Sequence, residues 1–440
     1  MRRMKRPRRE WLRGPHAGPL VFAMLVALVT ASCTEKLEAG KSCPLLCPEG
    51  ALDLRDTTIE AVPFDTTVSG LPSIGNEDFL LLANHGDSLE TRVIVRYDTL
   101  PQSYHIGTND STVTHVDSAY IRAPIARDTS RKPTAPLTIE VYDLASPATD
   151  SIRTRVDTVA ANLLPLFRAD RLIGSRTFAP ESLTDTLQLP ISTSVVLSRL
   201  TTGRPLRVGL RLVSSRSADI AFVSTQGSSG PSLVFRGSLD TAATPVTVGP
   251  LSHSPNDKPF LAGALSDYVI VVKGSLPTPT TLMSVGGVPP RRTYMRFEIP
   301  PAIVDSSTIV RATLQLHQRP TPGGVNRTDT VVVFPVALAA GPAVTNIFTA
   351  LQFLAPPLSF GLGSAPLVPR DSGVKGIEVV ALVRSWRGVA TSLNPRVIVL
   401  RTGNEWLDPG EIMFFSSRAA AGLRPRLRIT YVPPTAYGLP

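Results

Sequence analysis

The apolar positions of this chain fall in short runs between turn residues, and many of the runs alternate with polar positions. LTIEVYDL (137–144) alternates as a strand does when one face is buried and the other is wet. ATLQLHQ (312–318) does the same, with Leu314 and Leu316 on one face and Gln315 and His317 on the other. Several such runs at close spacing, bounded by Pro, Gly, Asn and Asp, predict an all-β chain of the sandwich type. The most helix-like piece is VVALVRSWRG (379–388), with Val379, Leu382, Val383 and Trp386 at i, i+3, i+4 and i+7. That spacing predicts one or two turns packed across a sandwich end.

The pattern occurs twice. RVGLRLVSSRSADIAFVSTQGSSGPSLVF (207–235) and RVIVLRTGNEWLDPGEIMFFSSRAAAGLRPRLRITYV (396–432) both open on an Arg-Val strand and an acid-bearing turn. Each continues with a second apolar run, Ser/Thr, a small-residue loop, a proline and an alternating final strand. The front edges match more loosely, LPSIGNEDFLLL…RVIVRYDTLP from Leu71 and LPTPTTLMSVGG…YMRFEIP from Leu276. The reading is all-β, with two tandem β-sandwich (jelly-roll-like) domains: a diverged copy over 57–237 and a second domain over 259–434. A polar, proline-broken linker is expected at 238–258.

Composition agrees with strands. Proline costs about 3 kcal/mol inside a helix, and 41 prolines with 31 glycines break the chain into short segments. The formal charge of +10 is misleading, because Arg2, Arg3, Lys5, Arg6, Arg8, Arg9 and Arg13 stand against one acid, Glu10, in residues 1–32. Beyond them acids and bases are interspersed, and no basic patch or stripe suggests a nucleic-acid partner.

Those basic residues precede an uncharged apolar run, Leu20 to Val29, then Thr30, Ala31, Ser32 and Cys33. A charged start, an apolar run too short to span a bilayer and a small-residue end predict a cleaved signal peptide over 1–32. Cys33 after the small residues resembles a bacterial lipoprotein lipobox, which implies lipidation of Cys33 and a membrane anchor through it. Thr30 departs from the Leu usual in that motif. Thr34 is compatible with outer-membrane sorting, so a surface or outer-membrane lipoprotein of the cell envelope is expected. Residues 33–56 read as a spacer carrying Cys43 and Cys47, either a small disulfide or two free thiols.

Three blocks in the second half resemble a DNRLRE-type domain, a bacterial extracellular β-sandwich related to the family-96 carbohydrate-binding modules. They are TYMRFEIPPAIVDSSTIVRATLQLHQ (293–318), IEVVALVRSWRG (377–388) and IMFFSSRAAAGLRPRLRITYV (412–432). The DNRLRE string itself is absent. The resemblance implies display on bacterial surfaces and, in some members, polysaccharide binding.

Trp406, in the polar turn GNEWLDPGE, is the candidate for stacking on a sugar, with Asn404 and Arg418 as hydrogen-bond donors. Tyr268 and Tyr294 are further aromatic candidates, and burial of all three aromatics removes the stacking mechanism. Trp386 reads as a core plug. Arg418 has a second reading, a pair with Glu411 across a hairpin.

HIGTNDSTVTHVD (105–117) reads as a hairpin turning over Gly107 to Asp110, with Val113 and Val116 on the returning strand, and with a cation site through Asn109, Asp110, His115 and Asp117 as the alternative. There is no G-x-S-x-G elbow, HExxH or phosphate-binding glycine loop. No catalytic constellation, metal site or cofactor is expected. The leading expectation is a non-catalytic, surface-tethered protein binding polysaccharide; the alternative is an adhesion scaffold with envelope-protein partners. A polysaccharide-degrading enzyme ranks third.

Overall fold

The computed structural model describes residues 54–434 except 63–65, 71, 73, 127–132, 146–157, 239–242, 252–264, 322–328, 339–362, 390–395 and 404. The expected signal peptide over 1–32, and Cys33, Cys43, Cys47 and Asn404, lie outside the described residues.

The chain is mostly β, in several antiparallel sheets. In order come β1 (Arg55–Glu60), β2 (Thr66–Ser69), β3 (Phe79–Asn84), β4 (Glu90–Tyr97), β5 (Ser103–Ile106) and β6 (Asn109–Thr112). Then follow β7 (Ser118–Pro124), β8 (Leu137–Asp143), α1 (Thr158–Leu163), β9 (Leu172–Phe178), β10 (Thr186–Pro190) and α2 (Thr193–Thr202). Next are β11 (Leu206–Ser214), β12 (Ala218–Val223), β13 (Ser232–Arg236), β14 (Val246–Val248) and β15 (Asp267–Lys273). The later strands are β16 (Leu282–Gly286), β17 (Arg291–Arg296), β18 (Thr308–Arg319), β19 (Val331–Ala337), β20 (Ala365–Leu367) and β21 (Gly373–Glu378). Helix α3 (Pro301–Val304) precedes β18, and α4 (Val380–Ser385) leads to β22 (Val397–Thr402), β23 (Glu411–Phe415) and β24 (Arg426–Val432).

The predicted alternation is present. Leu137, Ile139 and Val141 of β8 are buried, and so are Leu314 and Leu316 of β18. Helix α4 occupies the predicted site, with Leu382, Val383 and Trp386 buried. The longest helix among the described residues is α2, which the apolar spacing does not single out. Its ends are marked instead: the Ser192 hydroxyl accepts from the Val195 N–H, and Gly203 closes the last turn at φ 63°.

An early set of strands forms a seven-stranded sheet ordered β12-β3-β4-β11-β8-β9, with β15 also on β4, and a four-stranded sheet ordered β10-β7-β13-β14. Their inner faces share one core, including Leu80, Val95, Ile121, Leu210 and Leu233. A late set has the same two orders, β23-β16-β17-β22-β19-β20 with β2 on β17, and β21-β18-β24-β1. Here the end of β18 crosses from one layer to the other, pairing Gln318 with Phe414, so eleven strands form one continuous sheet. The early set makes the same corner with a single bridge between Ile125 and Phe222.

The match extends to register. Phe222 faces Leu80, and Phe414 faces Met283. Leu233 faces Ile121, and Leu427 faces Leu314. The Ile191 N–H donates to the Ala119 carbonyl at 3.0 Å, and the Val379 N–H to the Ala312 carbonyl at 2.8 Å. The loose match of the front edges is therefore structural: Ala83 pairs with Thr91 as Gly286 pairs with Arg291. The shared Arg-Val is one residue out of phase. Val208 faces Val95, while the residue facing the equivalent Met295 is Ile398 and not Val397. A one-residue slip exchanges core and outer faces, and burial of Val208 and Ile398 in their respective cores sets the phase.

Sheet membership departs from the expected division at 238–258. Strands β1 and β2, expected within the first sandwich, pair with β24 and β17 of the late set. Strand β15, expected within the second, pairs with β4 of the early set. The reason is that β1–β2 and β14–β15 are equivalent two-strand segments filling equivalent slots. Ile59 faces Leu427 as Val248 faces Leu233. The Val62 N–H donates to the Arg296 carbonyl at 3.0 Å, and the Leu251 N–H to the Arg96 carbonyl at 2.8 Å. Each segment completes the four-stranded layer with one strand and the other layer with its second. It staples the two layers together.

Candidate functional site

The densest buried polar arrangement in the late set grows from two adjacent arginines at the start of β17. Neighbouring residues of a strand point to opposite faces, so Arg291 and Arg292 find different partners. Arg291 bonds Glu411 at 2.5 Å, the Ser275 carbonyl at 2.9 Å and the Leu276 carbonyl. Ser284 is the second partner of Glu411. Arg292 grips Glu405 through two parallel bonds of 2.7 and 2.6 Å. Burial lowers the Arg292 proton affinity, but the bonds and charge of Glu405 outweigh it and hold the guanidinium ionised. Both pairs anchor the stretch 405–410, and the Gly287 N–H adds a bond of 2.8 Å to the Gly410 carbonyl. A side chain at Gly286, where φ is 81°, would strike that same carbonyl.

The anchored loop carries Trp406 at φ 64°. Its ring is 3% exposed and lies with Leu407 and Val288 in the core cluster of the early strands. The sugar-platform reading of Trp406 is thereby corrected: the turn looks polar because of Glu405 and Asp408, but Glu405 is consumed by Arg292 and the ring is inserted between the two sets. Tyr268 and Tyr294 are also buried, at 0% and 1% exposure. Desolvation raises both phenols above their ordinary range. Arg418 is exposed, and its backbone N–H donates to the Ser416 hydroxyl. Trp406 and Arg418 do not form an exposed pair, and Glu411 is engaged by Arg291.

A second buried group lies on the early set. Asp98 accepts from Arg96 at 2.7 Å and from Arg207 at 2.8 Å, with all three side chains nearly inaccessible. These arginines face each other across β4 and β11. Nearby, Asp267 accepts from the Thr225 backbone and hydroxyl at 2.8 and 2.5 Å, which ties β15 to the loop after β12. Burial raises its pKa. Glu77 lies beside it, and burial pushes its carboxyl up to about 8. Backbone N–H groups of Glu77, Gly75 and Val269 face the carboxylate, yet neither oxygen has a partner in hydrogen-bonding geometry.

The hairpin β5–β6 covers 103–112, with Gly107 at φ 59° and His105 paired to Asp110 across the turn. Val113 and Val116 follow the hairpin as buried core residues and do not extend its returning strand. Among the described residues no three His, Cys, Asp or Glu side chains gather as metal ligands.

Sequence reasoning missed the two arginines. The signal was present in VPPRRTYMRF: two charges side by side at the start of a run that is otherwise apolar require acids brought from elsewhere. Chemically, both groups join distant segments, and neither presents a convergent set of exposed polar atoms.

No family model matches this chain, and no curated protein matches it. A structure of the Macrobrachium rosenbergii nodavirus is 8% identical, with a TM-score of 0.16 over 87% of this chain and 89% of that one. The tandem CBM22-1–CBM22-2 domains of Paenibacillus barcinonensis Xyn10C are 8% identical, with a TM-score of 0.14 over 84% and 97%. The coconut allergen cocosin is 7% identical, with a TM-score of 0.13 over 87% and 86%. Scores of this size assign the chain to none of these folds.

Proposed function

We propose that this protein is a non-catalytic structural or adhesion scaffold of the bacterial cell envelope, tethered through a lipid on Cys33 and acting through protein partners. The observation that favours this over polysaccharide binding is the burial of Trp406, Tyr268 and Tyr294. Stacking needs an exposed ring face, and these rings are spent on packing.

In this reading the strands make two jelly-roll-like sandwiches related to the DNRLRE type. The first runs over residues 71–273. The second joins 54–70 to 274–434, so the first is inserted within it.

Two measurements test this. Palmitate labelling of wild type and Cys33→Ala tests the anchor: the proposal expects label only in wild type, and equal labelling rejects it. Glycan arrays and pull-downs from envelope extract, run on the same protein, test the role. Capture of an envelope protein without saturable glycan binding is expected. Saturable binding to a polysaccharide, or its turnover, overturns the scaffold reading.

A further inference from the structure

The two sets share a corner just before β3 and β16, and they fill it differently. In the late set the Ser416 N–H donates to the Thr281 carbonyl at 2.9 Å, and its hydroxyl to the Thr280 carbonyl at 2.9 Å. In the early set the Ser224 N–H donates to the Asp78 carbonyl at 3.1 Å, and its hydroxyl to the Glu77 carbonyl. Phe222 faces Leu80 as Phe414 faces Met283, so Glu77 stands where the late set has Thr280. Thr280 is exposed, whereas Glu77 is 1% exposed. The corner forms without an acid, so its backbone does not account for a buried carboxylate there.

Neither carboxylate oxygen of Glu77 has a hydrogen-bond partner. Burial and, to a lesser extent, the charge of neighbouring Asp267 both disfavour its ionised form. The guanidiniums of Arg96 and Arg207 are turned to Asp98. Asp267 is itself 2% exposed and held by the Thr225 backbone and hydroxyl, and a side chain at Gly230 would strike its Oδ2. The loop after β12 therefore wraps closely on two adjacent buried acids. Removing such acids from water costs solvation that a proton or a cation restores.

We propose that Glu77 and Asp267 bind a divalent cation of the calcium class, which ties the entry to β3 to strand β15. The donors at hand are oxygens, two carboxylates and the Thr225 hydroxyl, which suit a hard cation and not a metal that seeks thiolate or imidazole. Two carboxylates are few for calcium, whose roughly six to eight ligands are completed by backbone carbonyls and water. The expected Kd is therefore weak, about 10⁻⁴ to 10⁻³ M. The cation takes the place of the proton that Glu77 holds in calcium-free protein.

Tyr97 lies near Asp267 and Tyr268 near Glu77, which places phenols where they can excite a bound terbium ion, a luminescent stand-in for calcium. The full chain is stripped with chelator and titrated with terbium, then with calcium as competitor, and its thermal midpoint is followed in calcium. The proposal expects saturable terbium emission that calcium displaces, and a midpoint that climbs with calcium concentration. Glu77→Gln should weaken both responses about tenfold or more while remaining folded in chelator, and Asp267→Asn is the second variant held to the same result. Asp110→Asn, on the exposed β5–β6 hairpin, should respond as wild type does. Wild type that shows no displaceable emission and no midpoint shift at about 10⁻² M calcium overturns the proposal. A wild-type response in Glu77→Gln or Asp267→Asn overturns it too, as does its loss in Asp110→Asn.

Discussion

Ile59 lies directly opposite Leu427, so the first strand of the described chain closes the layer that carries the last. Its side chain packs against the core formed by Leu314, Leu427 and Ile429. Ile59 is half-buried, and Ile59→Ala is expected to cost about 1–2 kcal/mol, less than for a fully buried aliphatic residue. The shift in denaturant midpoint measures it. Added salt should lower the midpoint further, because the Asp56–Arg428 and Glu60–Arg426 pairs beside Ile59 are exposed.

Trp406 is expected to behave as a core residue. Trp406→Ala should destabilise by about 3–5 kcal/mol, the range for a large aromatic removed from a core. Trp386→Ala should do the same for the late-set core, where Trp386 is fully buried. Trp11 is the third tryptophan of the chain, so a chain begun at Cys33 should show blue-shifted native emission that resists acrylamide quenching.

The Arg292–Glu405 pair is doubly bonded and nearly inaccessible. Arg292→Met alone should cost about 3–5 kcal/mol, because Glu405 is left buried without its partner. Arg292→Met with Glu405→Met should recover most of that loss, since a buried pair is worth little over apolar packing. A double-mutant cycle on unfolding free energies reads the coupling.

Glu77 gives a pH dependence with a definite sign. Its folded carboxyl titrates at about 8 against an ordinary 4.5, because burial disfavours the charge. Between those values the folded chain holds a proton that the unfolded chain has released, so this group makes stability fall as pH rises through the window. Above about 8 both states are ionised and its contribution is flat. Glu77→Gln should remove that slope and leave the protein more stable than wild type at pH 8. Thermal melts from pH 5 to 9 check it.

Much of the fold is legible in the sequence. Alternation places the buried faces of β8 and β18, and the paired motifs reveal the doubling because equivalent strands need similar inward residues. The crossing of β1–β2 and β14–β15 is not legible, since the two slots share strand order and register and no local motif assigns a segment to one of them. The Arg-Val match is misleading by one residue because only the side-chain phase against Val95 and Met295 fixes it. Trp406 reads as exposed because neighbouring acids imply solvent, and the arginine that buries Glu405 lies 113 residues away. Its left-handed backbone leaves no mark in the residue type.

The crossed closure is tested most directly by hydrogen exchange on the full chain and on a chain lacking residues 55–69. The deletion is expected to strip protection from β16, β17 and β24 and to leave β3, β4 and β13 as they were. Loss of protection in β3, β4 and β13, with the late strands unchanged, would contradict it.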